Sequence, residues 1–188
     1  ISIGYLNNAQ REDLTAYQIQ AVSQSRLRYV PASQVQHITT DQLASITNAS
    51  YFYNMSSDAR GALNATQVQA LDTALINIGY LTTVQREELT AYQIQAVSQS
   101  CLRYVPASQV QHITADRFAS ITNASYFYNM SSDARGALDA TQVQALDTAL
   151  INIGYLTTAQ REELTADQIQ EVSQSRLRYV PASQVQHI

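Results

Sequence analysis

The sequence predicts an all-α fold, an α-solenoid of short capped helices, and three observations predict it: a 75-residue internal repeat, helix-start signals packed closely within each repeat, and structural units too small to bury their own apolar side. The repeat is visible directly. Ile1-Ser2-Ile3-Gly4-Tyr5 returns as Ile76-Asn77-Ile78-Gly79-Tyr80 and as Ile151-Asn152-Ile153-Gly154-Tyr155, so the chain divides into repeats at 1–75 and 76–150 and a partial one at 151–188. Only ten of the 75 positions differ between the first two copies. The string VPASQVQHI stands unchanged at 30–38, 105–113 and 180–188. Because the chain opens on Ile and stops within a repeat, it reads as a window on a longer array, one continuous solenoid.

Within each repeat the start signals come in order. In Leu14-Thr15-Ala16-Tyr17-Gln18-Ile19, Thr15 is placed to accept from a free backbone N–H, Gln18 to reach back and close a capping box, and Leu14 to staple onto Ile19. Comparable starts fall at Asn7, Pro31, Thr39, Ser56, Asn64 and Thr82, and the repeat copies them to Thr90, Thr114, Asp139, Thr157 and Thr165. These signals cut the 75-mer into coils at 6–29, 30–54 and 55–80, lengths of 24 to 26 residues. Each coil is expected to hold one short helix, a second capped helix and an aromatic-tipped turn ending in RLRY, YFYN or NIGY. Ile19/Val22, Leu43/Ile46 and Val68/Leu71/Leu75 sit at helical spacing as candidate core, and Gly79 is placed to stop the longest helix. No such coil shields its own apolar face, so each must stack on the next, in a right-handed superhelix of the armadillo/HEAT kind.

Substitutions between copies follow the same logic. Asn7 becomes Thr82 and Thr157, and Asn64 becomes Asp139, one N-cap residue for another; Leu43 becomes Phe118, apolar for apolar. Arg26 to Cys101 and Tyr92 to Asp167 change chemistry outright, which marks those positions as exposed.

Composition excludes several classes of function. The net charge is -4 with no basic run, which offers no footprint for nucleic acid or an anionic membrane surface. All eleven cations are Arg, and the absence of Lys removes Schiff-base and P-loop chemistry. No apolar stretch is long enough to span a bilayer. A metal site needs converging ligands, and one His per repeat (His37, His112, His187) supplies none; no cofactor is expected. A Ser33, His37, Asp41 alignment lacks a nucleophile elbow, and the adjacent pairs Glu12/Asp13, Glu87/Glu88 and Glu162/Glu163 point in different helical directions. The single cysteine, Cys101, has no partner in the chain. The expectation is therefore a protein that is not an enzyme.

One surface feature remains. NASYFYNMSS carries glycosylation acceptors at Asn48 and Asn54, retained at Asn123 and Asn129; a third at Asn64 is lost when that residue becomes Asp139, where the cap persists and the acceptor does not. Tyr51, Phe52 and Tyr53 between them are core or a platform under a sugar, with Phe52 assigned to the core.

VPASQVQHITTDQLASIT, the LT-x-x-Q starts before it and the NASYFYNM segment after it resemble the short capped helices of the mesothelin, stereocilin and otoancorin group. That resemblance implies a secreted or surface-tethered superhelical repeat protein without enzymatic activity, commonly N-glycosylated, with glycans or glycoproteins as partners. The expected function is structural or adhesive: an extracellular or cell-surface fibre or stalk whose partners include other copies of itself, joined end to end or laterally. The alternative is a binding scaffold that captures a peptide or glycoprotein, or a bacterial secreted repeat protein.

Overall fold

A computed structural model describes residues 2–188; Ile1, which opens the first repeat in the alignment, lies outside the described residues. Every regular element among them is helical. The α-helices are five or six residues long, about one turn and a half, and are interspersed with 3-10 helices of three or six. Helices this short do not persist alone in water, so their stability comes from caps and packing.

Two compact units form, Ile1–Val97 and Ser98–Ile188. In the first, the coil at 6–29 holds helices Asn8–Glu12, Ala16–Gln20 and Gln24–Tyr29; the coil at 30–54 holds Ala32–His37, Thr40–Ala44 and Ala49–Tyr53; the coil at 55–80 holds Ser57–Gly61, Ala65–Gln69 and Ile78–Tyr80. Like helices of successive coils pack on each other. Ala32–His37 lies on Ser57–Gly61, Thr40–Ala44 on Ala65–Gln69, and Gln24–Tyr29 on Ala49–Tyr53. The second unit repeats the arrangement, with Ala107–His112 on Ser132–Gly136, Ala115–Ala119 on Ala140–Gln144, and Gln99–Tyr104 on Ala124–Tyr128. Stacked coils with rows of equivalent helices are the solenoid architecture that the repeat predicts.

All seven start signals of the first repeat and its junction begin helices, at Asn8, Ala16, Ala32, Thr40, Ser57, Ala65 and Thr83. Termination differs from expectation. Gly79 stops nothing: it sits inside the 3-10 helix Ile78–Tyr80, and the helix after Asn64 already ends at Gln69. Two local causes replace it. Asp72 Oδ1 accepts from the Ala74 N–H at 2.9 Å, an Asx turn that competes with helical pairing. Elsewhere the next cap is the terminator: Ala21 is still helical at ψ -1°, whereas the following caps Ser23, Pro31 and Thr39 are extended, with ψ between 153° and 157°. No described residue has positive φ. The aromatic tips are likewise helical turns in their own right, not loops.

The core is one apolar file per row. Ile19, Leu27, Val35, Leu43, Phe52 and Val68 are fully buried in the first unit, as are Val110, Phe127 and Val143 in the second. Phe118 is 1% exposed where Leu43 is 0%, so that exchange stays in the core. Leu75 is only half-buried, because the Asx turn carries it out of the helical spacing.

Glycine is demanded by close approach. A Cβ on Gly154 would lie 2.7 Å from Tyr179 Cε2, and one on Gly4 would lie 3.0 Å from the same atom of Tyr29. Gly154→Ala is expected to cost about 1–2 kcal/mol by displacing the Tyr179 ring, measured as a lowered urea midpoint.

Candidate functional site

The recurring chemistry of this chain is its capping glutamine. Thr90 is the N-cap of Ala91–Ala96: its Oγ1 accepts from the Gln93 N–H at 3.2 Å, and Gln93 Oε1 accepts from the Thr90 N–H at 3.1 Å. The same box closes at Asn7, Thr15, Thr39, Asn64, Thr82, Asp139, Thr157 and Thr165. Thr114 is the exception and corrects the expectation. It makes no side-chain capping bond, and the return half of the box is closed off as well, because Arg117 stands where the counterpart is Gln42 and a guanidinium has no acceptor. Thr90→Ala is expected to lower stability by about 1 kcal/mol in thermal or urea unfolding.

The amide does more than close the box. Gln93 Nε2 donates to the carbonyls of Val68 and Leu71, at 3.0 and 2.8 Å, at the C-terminal end of a helix in the preceding coil. Gln42 reaches Ile19 and Val22, Gln67 reaches Val35 and Ile38, and Gln85 reaches Arg60 and Leu63. In the second unit Gln142, Gln160 and Gln168 repeat the ties of Gln67, Gln85 and Gln93, on Val110/Ile113, Arg135/Leu138 and Val143/Leu146. One side chain thus satisfies an orphan N–H of its own helix and unpaired carbonyls of another. Gln67, Gln93 and Gln142 are at most 4% exposed, yet their amides are fully partnered. These ties were not read from the sequence. The available signal is that the boxes close on Gln and never on Glu: a carboxylate closes a box equally well but cannot donate.

The sequons occupy helix ends. Asn48 and Asn123 are N-caps whose Oδ1 accepts from Ser50 and Ser125 N–H, both at 2.9 Å, while Asn54 and Asn129 close the same helices as C-caps. All four are exposed, and so is Asn64, whose Oδ1 is engaged by Gln67. Phe52 and Phe127 are core. Tyr53 is structural as well: its hydroxyl accepts from the Asn77 N–H at 2.7 Å, and its ring stacks on Tyr80 at 4.3 Å. Tyr128 and Tyr155 repeat this stack at 4.5 Å.

The remaining candidates are not brought together. His37, His112 and His187 each end a 3-10 helix. The Ser33 hydroxyl donates to the Glu12 carboxylate, as Ser183 does to Glu162, so Ser33 and His37 form no pair. No group of three or more His, Cys, Asp or Glu that could hold a metal is found among the described residues. Cys101 corrects the expectation of exposure: it is buried at 5%, since a short thiol withdraws where the longer Arg26 reaches solvent. No described helix is long and apolar enough to cross a membrane.

No family model, curated protein or solved structure matches this chain.

Proposed function

We propose that the chain is a segment of a non-enzymatic structural array, an extracellular fibre or adhesive surface stalk built by stacking near-identical repeats. The observation that carries this reading is the glutamine tie. A tied coil bears donors for the coil before it, and the ties at Gln67, Gln85 and Gln93 recur 75 residues on at Gln142, Gln160 and Gln168. Adding a repeat regenerates the same interface, which suits a polymer whose length varies by whole units. Exposed acceptors at Asn48, Asn54, Asn123 and Asn129 fit an extracellular, glycosylated surface, as does the likeness to the mesothelin group.

A binding scaffold is the second reading, favoured by Tyr17 and Tyr92, one repeat apart in the same unit and 81% and 79% exposed. Intact mass of native material before and after deglycosylation separates the cases: sugar on the sequons supports the extracellular array. Electron microscopy of the native source then decides the fibre reading, which fails if only compact monomers are seen.

A further inference from the structure

One polar concavity recurs with the repeat. In the first unit it is lined by Arg11, Glu12, Arg28, Tyr29, Pro31 and Asp58 among others, with a volume of about 440 Å³. In the second unit Arg161, Glu162, Arg178, Tyr179 and Pro181 line its counterpart, of about 530 Å³. Every residue lining the second stands two repeats after one lining the first. The copy in the third repeat has helices of its own unit before it, and the copy in the first has helices of its own unit after it, so the opening belongs to the repeat itself. Arg28 is exposed and spends one N–H on the Tyr29 hydroxyl, at 2.9 Å, with its guanidinium 4.8 Å from that ring's centroid; Arg178 does the same on Tyr179, at 2.8 and 4.7 Å. Arg11 and Arg161 lie over the same two rings, at 5.0 and 6.0 Å. None of the four forms an ion pair among the described residues, although Glu12 and Glu162 line the same concavities. Those carboxylates are held otherwise. The Ser33 hydroxyl donates to Glu12 and that of Ser183 to Glu162, which fixes one oxygen and leaves the other to accept. Between the walls the extended Val30-Pro31 backbone presents an apolar strip.

We propose that this concavity binds a carboxylated sugar, a pyranose bearing one acid group. Guanidiniums oriented on a tyrosine ring offer paired N–H donors to a planar carboxylate. The held Glu12 or Glu162 accepts from ring hydroxyls, and the Val30-Pro31 strip meets the C–H face of the sugar. A phosphate dianion fits less well, because it would lie beside Glu12 and, in the first repeat, Asp58. Both volumes lie in the range of small-ligand pockets. Each copy lies within one compact unit, so the site does not depend on chains assembling into a fibre.

Methyl glucuronoside is titrated into the full chain and followed through the arginine Nε–H and backbone amide signals in heteronuclear NMR spectra. One variant combines Arg28→Gln, Arg103→Gln and Arg178→Gln, and a second combines Glu12→Gln, Glu87→Gln and Glu162→Gln; the second repeat is changed too because it carries the same residues. The control combines Arg26→Gln and Arg176→Gln, which line neither concavity. All are matched to the parent in circular dichroism. The expected result is saturable binding, weakened about ten-fold or more by the Arg28 set, about three-fold or more by the Glu12 set, and unchanged by the control. Methyl glucoside, acetate and inorganic phosphate are each expected to bind the parent at least about ten-fold more weakly. A glucuronic acid tetramer that binds more tightly than the monomer assigns the ligand to an acidic polysaccharide, and equal binding assigns it to the free sugar acid. The proposal is overturned if no saturable shift occurs, if the Arg28 set leaves it unchanged, if the control weakens it equally, if the Glu12 set strengthens it, or if glucoside, acetate or phosphate binds as tightly.

Discussion

Gln93→Glu is expected to destabilise the protein by about 3 kcal/mol or more, whereas the equivalent Gln18→Glu changes stability by less than about 0.5 kcal/mol. Both residues close the same box, on Thr90 and Thr15. Gln93 is 4% exposed and holds two carbonyl oxygens within 3.0 Å of its Nε2. A carboxylate there sets a negative oxygen against two acceptors in a site without water, and a neutral carboxyl supplies one proton for two of them. Gln18 is exposed and, among the described residues, donates to no carbonyl, so a glutamate keeps its capping bond and favours the helix start.

The sign of the pH dependence follows. Burial against carbonyls raises the folded-state pKa of the carboxyl introduced by Gln93→Glu above its unfolded value. The penalty is therefore smallest below the unfolded pKa and grows as pH rises toward the folded one. Urea unfolding at pH 4 and pH 7 checks this: a Gln93→Glu variant as stable as the parent at pH 7 would refute the tie as an energetic element.

Phe127→Ala is expected to cost about 3–5 kcal/mol. Phe127 is fully buried in the one-turn helix Ala124–Tyr128, which packs on Gln99–Tyr104. Its ring meets Tyr128 edge-on at 6.2 Å, and Tyr128 in turn stacks on Tyr155. Caps pin this helix at Asn123 and the next at Ser131, so the walls have little freedom to close on the cavity. Tyr92→Asp is the control: Tyr92 is 79% exposed, the third repeat already carries Asp167 there, and the expected change is within about 0.5 kcal/mol. Equal losses for the two variants in urea unfolding would contradict the packing described above.

What was legible in the sequence was short-range. Thr15 and Gln18 lie three residues apart and interact wherever a helix begins, so the box is visible in the string itself. The exchanges Asn64 to Asp139 and Leu43 to Phe118 kept cap and core for the same reason. Length was harder to read. Val68, Leu71 and Leu75 look like one helical face, but Asp72 offers the backbone a competing acceptor and the helix ends at Gln69. Thr114 looks like a cap when the third residue on is ignored.

The candidate sites divide along the same line. Asn48 and Asn123 are recognisable as sequons, but their role as N-caps depends on the helix that follows them. Cys101 read as exposed from the chemistry of its exchange, while its burial was settled by the neighbouring coil.

The amino-acid string by itself determined the all-helical repeat and where its helices begin, because a cap is a contact between residues three apart. Only the tertiary structure decided what the glutamine amides face and that the lone thiol is buried. The carbonyl partners of the amides lie twenty or more residues away, and they meet only once one coil has settled on the next.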